Sequence, residues 1–322
     1  MKAVVVGEAG VEVRDVPVPK PKPNEVLVRV RAAALNRADL GVAAGHRHGA
    51  IGGAGTVLGL EWSGEVVEVG AEVESVRRGD RVMCSGSGGY AEYAATDWGR
   101  ALPMPDGMNF EEAATLPVAL QTMHDALVTN GHLAAGESVL IQGASSGVGL
   151  MGLQIAKLKG AGLVIGSSAN AARRARLREF GANLAVDTSD PAWPDAVLAA
   201  TDGKGVDLII DQVSASVANQ NLKAAAIKGR IVNVGRLGGS KGPFDFDLHA
   251  LKRIQYIGVT FRTRSLEEVR EITRRLKADL WGAVAQHKLR LPIDRTFPLE
   301  KAAAALAHMR VNAHFGKILL LA

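Results

Sequence analysis

The chain has 322 residues, 47% of them hydrophobic and 37 of them glycine, which is enough for two globular units with proper cores. Net charge is +5, but the 38 basic residues are scattered rather than striped and aromatic residues are only 4%, so the excess is read as serving anionic small molecules and not nucleic acid. Cys84 is the only cysteine, which excludes an intrachain disulfide and cysteine-rich zinc sites; it reads as a small buried hydrophobe.

The opening Met1-Lys2-Ala3-Val4-Val5-Val6 is too short an apolar run for a signal peptide, and no stretch is long enough to span a bilayer, so a cytoplasmic protein is expected. Residues 1–100 are rich in short strands, Val4–Val6, Glu25–Val30, Gly64–Val69 and Arg81–Met83, separated by turn signals such as Arg78-Gly79-Asp80. Between them, Gly45 to Gly55 holds five glycines and reads either as a mobile lid or as an inert connector. His46 and His48 lie in that loop with no acid or thiol close in sequence, so no metal is expected there.

From about residue 120 the pattern shifts to alternating strands and helices, with strands expected at 138–142, 162–166, 184–187, 206–210, 230–234 and 254–260. Six such strands make a doubly wound parallel sheet of the Rossmann type. A helix near 265–278, a helix near 299–309 and a strand at Gly316–Leu321 break that rhythm and are expected to return to the first domain.

Residues 138–149 carry the first chemistry. Val139, Leu140 and Ile141 read as a strand buried on both faces, and Val148, Met151, Ile155 and Leu158 place one apolar face of the following helix against the sheet. A pyrophosphate would sit on the free N–H groups of the turn Ala144-Ser145-Ser146-Gly147-Val148-Gly149, where the helix dipole also favours negative charge. Ala144, Ser146 and Gly149 stand at the three glycine positions of the dinucleotide fingerprint. After the second strand no acid awaits a ribose 2′-hydroxyl. Ser167 and Ser168 stand there instead, followed by Arg173 and Arg174, a set suited to a 2′-phosphate. NADPH is therefore expected over NADH, although the arginines also read as a solvated helix face. Ligands of such a sheet lie beyond the carboxyl ends of its strands, which points to Asn233-Val234-Gly235 and Phe261 near the nicotinamide. His124 could supply a proton near neutral pH or could simply pack.

Several segments in order, Leu35-Asn36-Arg37-Ala38-Asp39-Leu40, Leu58-Gly59-Leu60-Glu61-Trp62-Ser63-Gly64, Gly79-Asp80-Arg81-Val82, Gly88-Gly89-Tyr90-Ala91-Glu92-Tyr93 and the 138–149 turn, resemble the medium-chain dehydrogenase/reductase superfamily. Within it they resemble the zinc-independent, zeta-crystallin-like quinone oxidoreductase branch. The resemblance implies an α/β chain with a GroES-like catalytic domain begun by residues 1–118, an inserted NADPH-binding Rossmann domain at 119–261 and completion of the catalytic domain by 262–322, with the active site in the cleft between the domains. It makes Thr122 a contact on the nicotinamide side, places Lys317 close to the cofactor, and implies a homodimer formed by pairing the sixth strands. A lysine at the start of a strand is usually just solvated, which is the other reading of Lys317.

Zinc enzymes of the superfamily carry a ligand Cys where this chain has Asn36 and a ligand His where it has Leu60. Neither replacement suits catalytic zinc. Without a Lewis acid, quinones and α,β-unsaturated carbonyls are the easier acceptors, because hydride delivery leaves a delocalised anion that needs only a modest proton donor. Asn36 is the first candidate for that hydrogen-bond donor, with the tying of a loop as its other reading. The family's usual tyrosine is missing between Gly41 and Arg47, which leaves room for a bulkier or anionic acceptor. The expectation is an NADPH-dependent quinone reductase. Its alternatives are a reductase of activated alkenes, 2-alkenals or enoyl thioesters, in which Arg37 and Arg47 would favour an anionic substrate, and an NADPH-binding protein with a structural or regulatory role.

Overall fold

A computed structural model describes residues 1–8, 10–49 and 51–322. The chain divides into two compact units, Met1–Val118 with Phe261–Ala322, and Ala119–Thr260. In chain order the elements begin β1 Lys2–Gly7, β2 Gly10–Asp15, β3 Glu25–Ala34, α1 Arg37–Ala43, β4 Glu61–Val69, β5 Arg81–Ser85, β6 Tyr93–Asp97, β7 Ala101–Pro103, α2 Phe110–Ala114 and α3 Pro117–His124. The second unit continues with β8 Ser138–Ile141, α4 Gly147–Leu158, β9 Leu163–Ser167, α5 Ala171–Ala175, β10 Leu184–Val186, α6 Trp193–Ala200, β11 Val206–Asp211, α7 Ala218–Ala224, β12 Ala225–Asn233, α8 Phe246–Lys252 and β13 Gln255–Gly258. Then come α9 Leu266–Ala285, β14 Ile293–Pro298, α10 Ala302–Val311 and β15 Lys317–Leu321.

The first unit is built on a sheet of order β14-β15-β3-β4-β5-β7, with β6 also paired to β3, and on a separate β1-β2 ribbon. Strand β15 runs antiparallel to β3, with Leu319, Leu320 and Leu321 opposite Ala34, Ala33 and Ala32. The end of β3 is covered on both faces: Ala33 packs with Val28, Leu35, Trp62 and Leu306, while Ala32 and Ala34 pack with Ala114 and Leu319. Alternation of side chains across the strand sends neighbours to opposite cores, and alanine leaves room for both.

The second unit holds the doubly wound sheet, all parallel, in the order β10-β9-β8-β11-β12-β13. Its central strands are buried on both faces, as parallel strands covered by helices must be: Val139, Leu140, Ile141, Leu208, Ile209, Ile210, Ile231 and Val232 are all inaccessible. The strand reversal falls between β8 and β11, where such sheets open a crevice at their carboxyl ends. The strand expected at 254–260 narrows to Gln255–Gly258, a largely exposed edge. The helix expected to end near 278 continues to Ala285 because Leu280 and Val284 extend its buried stripe.

Helix α4 corrects one expectation. Met151 and Ile155 are buried as the spacing requires, but Val148 is only half-buried and Leu158 is exposed at the far end. Leu150 and Leu153 take up the contact instead. Among the described residues no helix is long and apolar enough to cross a membrane.

The start of α4 lies so close to the preceding turn that a Cβ on Gly149 would stand 2.6 Å from both Ala144 Cα and Gly143 O, two backbone atoms with no freedom to yield. Gly149→Ala is expected to destabilise the protein by about 1–3 kcal/mol through backbone displacement. Urea unfolding measures this, and an unchanged midpoint would refute the close-packing argument.

Candidate active site

Two groups of candidate residues form, one in each unit. In the second unit, Ser146 is the N-cap of α4: its Oγ accepts from Gly149 N at 3.0 Å, and its hydroxyl proton lies between Gly143 O at 3.0 Å and Gln212 Oε1 at 3.2 Å. The amides of Gly147 and Val148 precede the first intrahelical bond, so they are the donors a phosphate would take. A dinucleotide pyrophosphate fits this turn, because those two amides are left without intrahelical acceptors, while Gly149 lets the helix start close against the backbone of Gly143 and Ala144. Ser145 and Ser168, expected from two different strand ends, are brought together with their hydroxyls 3.0 Å apart.

Ser167 does not join them. It is buried, accepting from Gly143 N at 3.0 Å and donating to Gln142 Oε1 at 2.5 Å, so it ties the turn to the sheet instead of facing a 2′-phosphate. Arg174 is likewise committed, to Ser168 O and to the Asp187 carboxylate, each at 2.9 Å. Arg173 is half-buried in the first turn of α5, with its backbone N–H capped by Asn170 at 2.9 Å.

At the end of β12, Asn233 turns its amide to the Ser214 hydroxyl, and a Cβ on Gly235 would meet Gln212 O at 2.5 Å. The segment 233–235 is therefore packed onto the turn after β11, with Val234 and Gly235 half-exposed above it. Asp211 anchors that turn by accepting from Val213 N and Ser214 N at 2.8 and 2.9 Å. Sequence reasoning passes over Asp211 and Gln212. An acid and an amide at the end of a parallel strand are the available signal.

Helix α3 carries Thr122 half-buried and His124 with no exposure. A fully enclosed ring fits the packing role of His124 better than delivery of a proton to substrate. Phe261, expected as the last residue of the cofactor domain, is half-buried and falls in the first unit, one residue beyond the end of the second.

The first unit holds a buried polar cluster that unites Asn36 with Lys317. The Lys317 ammonium donates to Asn36 Oδ1 at 2.9 Å and pairs with Glu61 Oε1, and Asn36 Nδ2 donates to the same Glu61 oxygen at 2.9 Å. Glu61 Oε2 accepts from Val118 N at 2.9 Å, in the first turn of α3. Burial pushes the Glu61 carboxyl up against the opposing pull of Lys317. Lys317 is 3% exposed, so its reading as a solvated strand residue is wrong. Both ends of the Asn36 amide are engaged, and its remaining N–H has only Ala34 O at 3.4 Å. Glu61 escapes sequence reasoning although its motif carries part of the resemblance, because only the tertiary structure brings its three donors together.

Beside this cluster, Asp39 Oδ2 accepts from Tyr90 OH and from Asn36 N, each at 2.7 Å. Burial raises the Asp39 carboxyl to about 6 despite these donors. The loop after α1 is held against the segment that follows β13: a Cβ on Gly49, at φ +65°, would lie 2.7 Å from Arg262 O, and His48 and Ile51 exchange backbone bonds. His48 is half-buried there, and burial, followed by the Arg262 charge, lowers its pKa.

Two family models match the chain, the alcohol dehydrogenase GroES-like domain over residues 22–106 and zinc-binding dehydrogenase over residues 147–278. The quinone oxidoreductase of Rattus norvegicus is 30% identical over 313 residues, covering 95% of this chain and 92% of that protein. The mycocerosic acid synthase-like polyketide synthase of Mycolicibacterium smegmatis is 30% identical over 301 residues, which is 92% of this chain and 14% of that much longer protein. The crystal structure of CurK enoyl reductase superposes with a TM-score of 0.86 at 26% identity, covering 99% of this chain and 98% of that one.

One family description names zinc, and the residues here do not fit it. An amide and a leucine stand at positions 36 and 60, and an ammonium already bonds the Asn36 oxygen. Cys84 is buried, and burial pushes its thiol far up, away from thiolate. Among the described residues, no three His, Cys, Asp or Glu side chains are grouped to hold a metal.

Two outcomes follow from the cluster. Lys317→Met leaves the Glu61 carboxylate buried without its cation and is expected to cost about 3–5 kcal/mol in urea unfolding, most of it regained in Glu61→Gln/Lys317→Met. Asp39 is raised from 3.8 to about 6, so its contribution to stability is complete below the unfolded value and disappears as pH rises through about 6. Unfolding free energy measured across this window should fall less steeply with pH in Asp39→Asn than in the unaltered chain, and identical slopes would remove Asp39 as the cause.

Proposed function

Because the chain belongs to the medium-chain dehydrogenase/reductase superfamily, in its quinone oxidoreductase branch, we propose that it is an NADPH-dependent, zinc-independent quinone reductase. The observation that carries this reading is the buried Asn36–Glu61–Lys317 cluster, which puts an amide and an ammonium where metal ligands would be needed. An acceptor that becomes a delocalised anion needs no Lewis acid, and quinones are of that kind. The reduced nicotinamide supplies the hydride when bound. The amides of Gly147 and Val148 would hold the pyrophosphate at the N-terminus of α4. Thr122, half-buried on α3, is the residue that the family resemblance assigns to the nicotinamide side. The second N–H of Asn36, weakly spent on Ala34 O, is the donor assigned to the acceptor's oxygen.

The preference for NADPH over NADH is supported by the Ser145–Ser168 hydroxyl pair and by Arg173 in the following helix. A second copy of the chain is proposed to pair along the free edge of β13, which would otherwise invite aggregation.

Reduction of an enoyl thioester is the second reading. It is supported by the similarity to the polyketide synthase and to CurK enoyl reductase, and by Arg47, exposed two residues after Gly45. Arg37 contributes less to it, since its guanidinium already bonds Met309 O and Asn312 Oδ1.

NADPH consumption with 1,4-benzoquinone, crotonyl-CoA and 2-hexenal, each with and without a chelator, decides among these. Benzoquinone should be reduced fastest and the chelator should change nothing. Turnover of crotonyl-CoA alone selects the second reading, and loss of activity with the chelator overturns the metal-free one. Arg173→Ala should lower the ratio of kcat/KM for NADPH to that for NADH about tenfold, the value of one charge-assisted phosphate contact.

A further inference from the structure

Asn36 is held at every polar atom, and the two ends of its side-chain amide are told apart by charge. Its backbone N–H donates to Asp39 Oδ2 at 2.7 Å, and its backbone oxygen accepts from Asp39 N at 2.9 Å. Tyr90 OH donates to the same Asp39 oxygen at 2.7 Å, so that carboxylate is itself fixed. In the side chain, Oδ1 meets the Lys317 ammonium at 2.9 Å and Nδ2 meets Glu61 Oε1 at 2.9 Å. Glu61 is kept from turning away by its other oxygen, which accepts from Val118 N at 2.9 Å. Asn36, Asp39, Glu61, Tyr90 and Lys317 are all buried.

An amide has nearly the same shape with its oxygen and nitrogen exchanged, so packing alone does not choose between the two orientations. Charge does. Turning the Asn36 amide over would set its oxygen against the Glu61 carboxylate and its NH2 against the Lys317 ammonium, two like-signed contacts in place of two charge-assisted bonds. With each bond to a charged group worth a factor of about ten, the observed orientation is favoured about a hundredfold. A buried ion pair contributes little net stability over apolar residues of the same size. What Glu61 and Lys317 supply that such residues would not is this choice of orientation. One N–H of Nδ2 is spent on Glu61, and the other has only Ala34 O, at 3.4 Å, too far for a good bond. The oxygen is spent on Lys317. The side chain therefore keeps a donor to offer and withholds its acceptor.

We infer that Glu61 and Lys317 act together as positioning residues for the reduction: the pair locks the Asn36 amide so that an N–H, and not its oxygen, is available to the acceptor. Such a lock favours a molecule whose oxygen gains negative charge over a hydroxyl ligand that needs its own proton accepted. The inference rests on the reading of Asn36 as the donor to the acceptor's oxygen.

Two variants of the full chain test it. Glu61→Gln/Lys317→Met removes both charges at nearly constant size, and Lys317→Arg keeps the cation. Each is measured by urea unfolding, by kcat and KM with NADPH and 1,4-benzoquinone, and by the side-chain 1H–15N signals of Asn36, identified by their loss in Asn36→Ser. The double variant should remain folded yet show kcat about tenfold lower with KM for NADPH unchanged, whereas Lys317→Arg should keep most of the rate. In the unaltered chain and in Lys317→Arg one Asn36 amide proton, bonded to a carboxylate, should lie well downfield of its twin, and in the double variant that separation should shrink. Should the double variant fail to fold, Glu61→Gln alone, which sets Asn36 against an amide able to turn either way, carries the same comparison. A folded variant with full kcat, or Asn36 signals that do not move, would overturn the lock. An unaltered chain that reduces no quinone would instead reject the quinone reading; the kcat comparison then passes to crotonyl-CoA, and the Asn36 signals decide the lock without any turnover.

Discussion

A single buried carboxylate organises the first unit. Glu61 has no exposure, and a lone ion in such a place is costly to desolvate. Here its two oxygens take the Lys317 ammonium, the Asn36 amide and the Val118 N–H, which come from three distant parts of the chain. The carboxylate thereby holds the loop after β3, the start of β15 and the start of α3 in one arrangement. Removing any donor would expose the cost that the others now offset, which gives the cluster its rigidity.

The second unit uses a different device for the same end. A chain of amides and hydroxyls runs under the phosphate turn: Ser167 donates to Gln142, Gln142 donates to Asn221 at 2.7 Å, and Asn221 donates to Asp211 at 3.0 Å. Each member has its partner, so the network is stiff instead of being a source of unsatisfied groups. Gln212 adds a bond from Nε2 to Gln142 O at 2.9 Å, joining the ends of β8 and β11, the two strands at which the sheet order reverses. The turn that receives the phosphates is therefore fixed before any ligand arrives, and the helix dipole acts on a defined position.

These arrangements define the chemistry open to the chain. The cluster offers an amide and a paired ammonium, and its Glu61 is saturated by its own protein. Hydride transfer to an acceptor that can spread its negative charge asks only for alignment and a modest donor, which is the condition the proposed reading rests on. A simple alcohol would ask for more.

The sequence by itself determined the parallel sheet, the strand–turn–helix at 138–149 and the β-rich first unit, because these rest on local signals: apolar runs, the period of a helix, and small residues at a bend. It also supplied Asn36 and Lys317 as separate residues of interest. What it could not supply was partnership. Lys317 and Glu61 are far apart in the chain, and a lysine opening a strand carries no mark of burial until β15 is laid against β3. Ser167 and Ser168 look alike in sequence, yet Ser167 ends β9 and is spent on Gln142, while Ser168 lies just beyond the strand and meets Ser145. Leu158 satisfied the helical spacing, but it stands exposed as the last residue of α4. Spacing fixes which face a side chain is on. Only the tertiary structure decides what stands opposite, because charge pairs, hydrogen bonds and close contacts are made between segments that the chain order keeps apart.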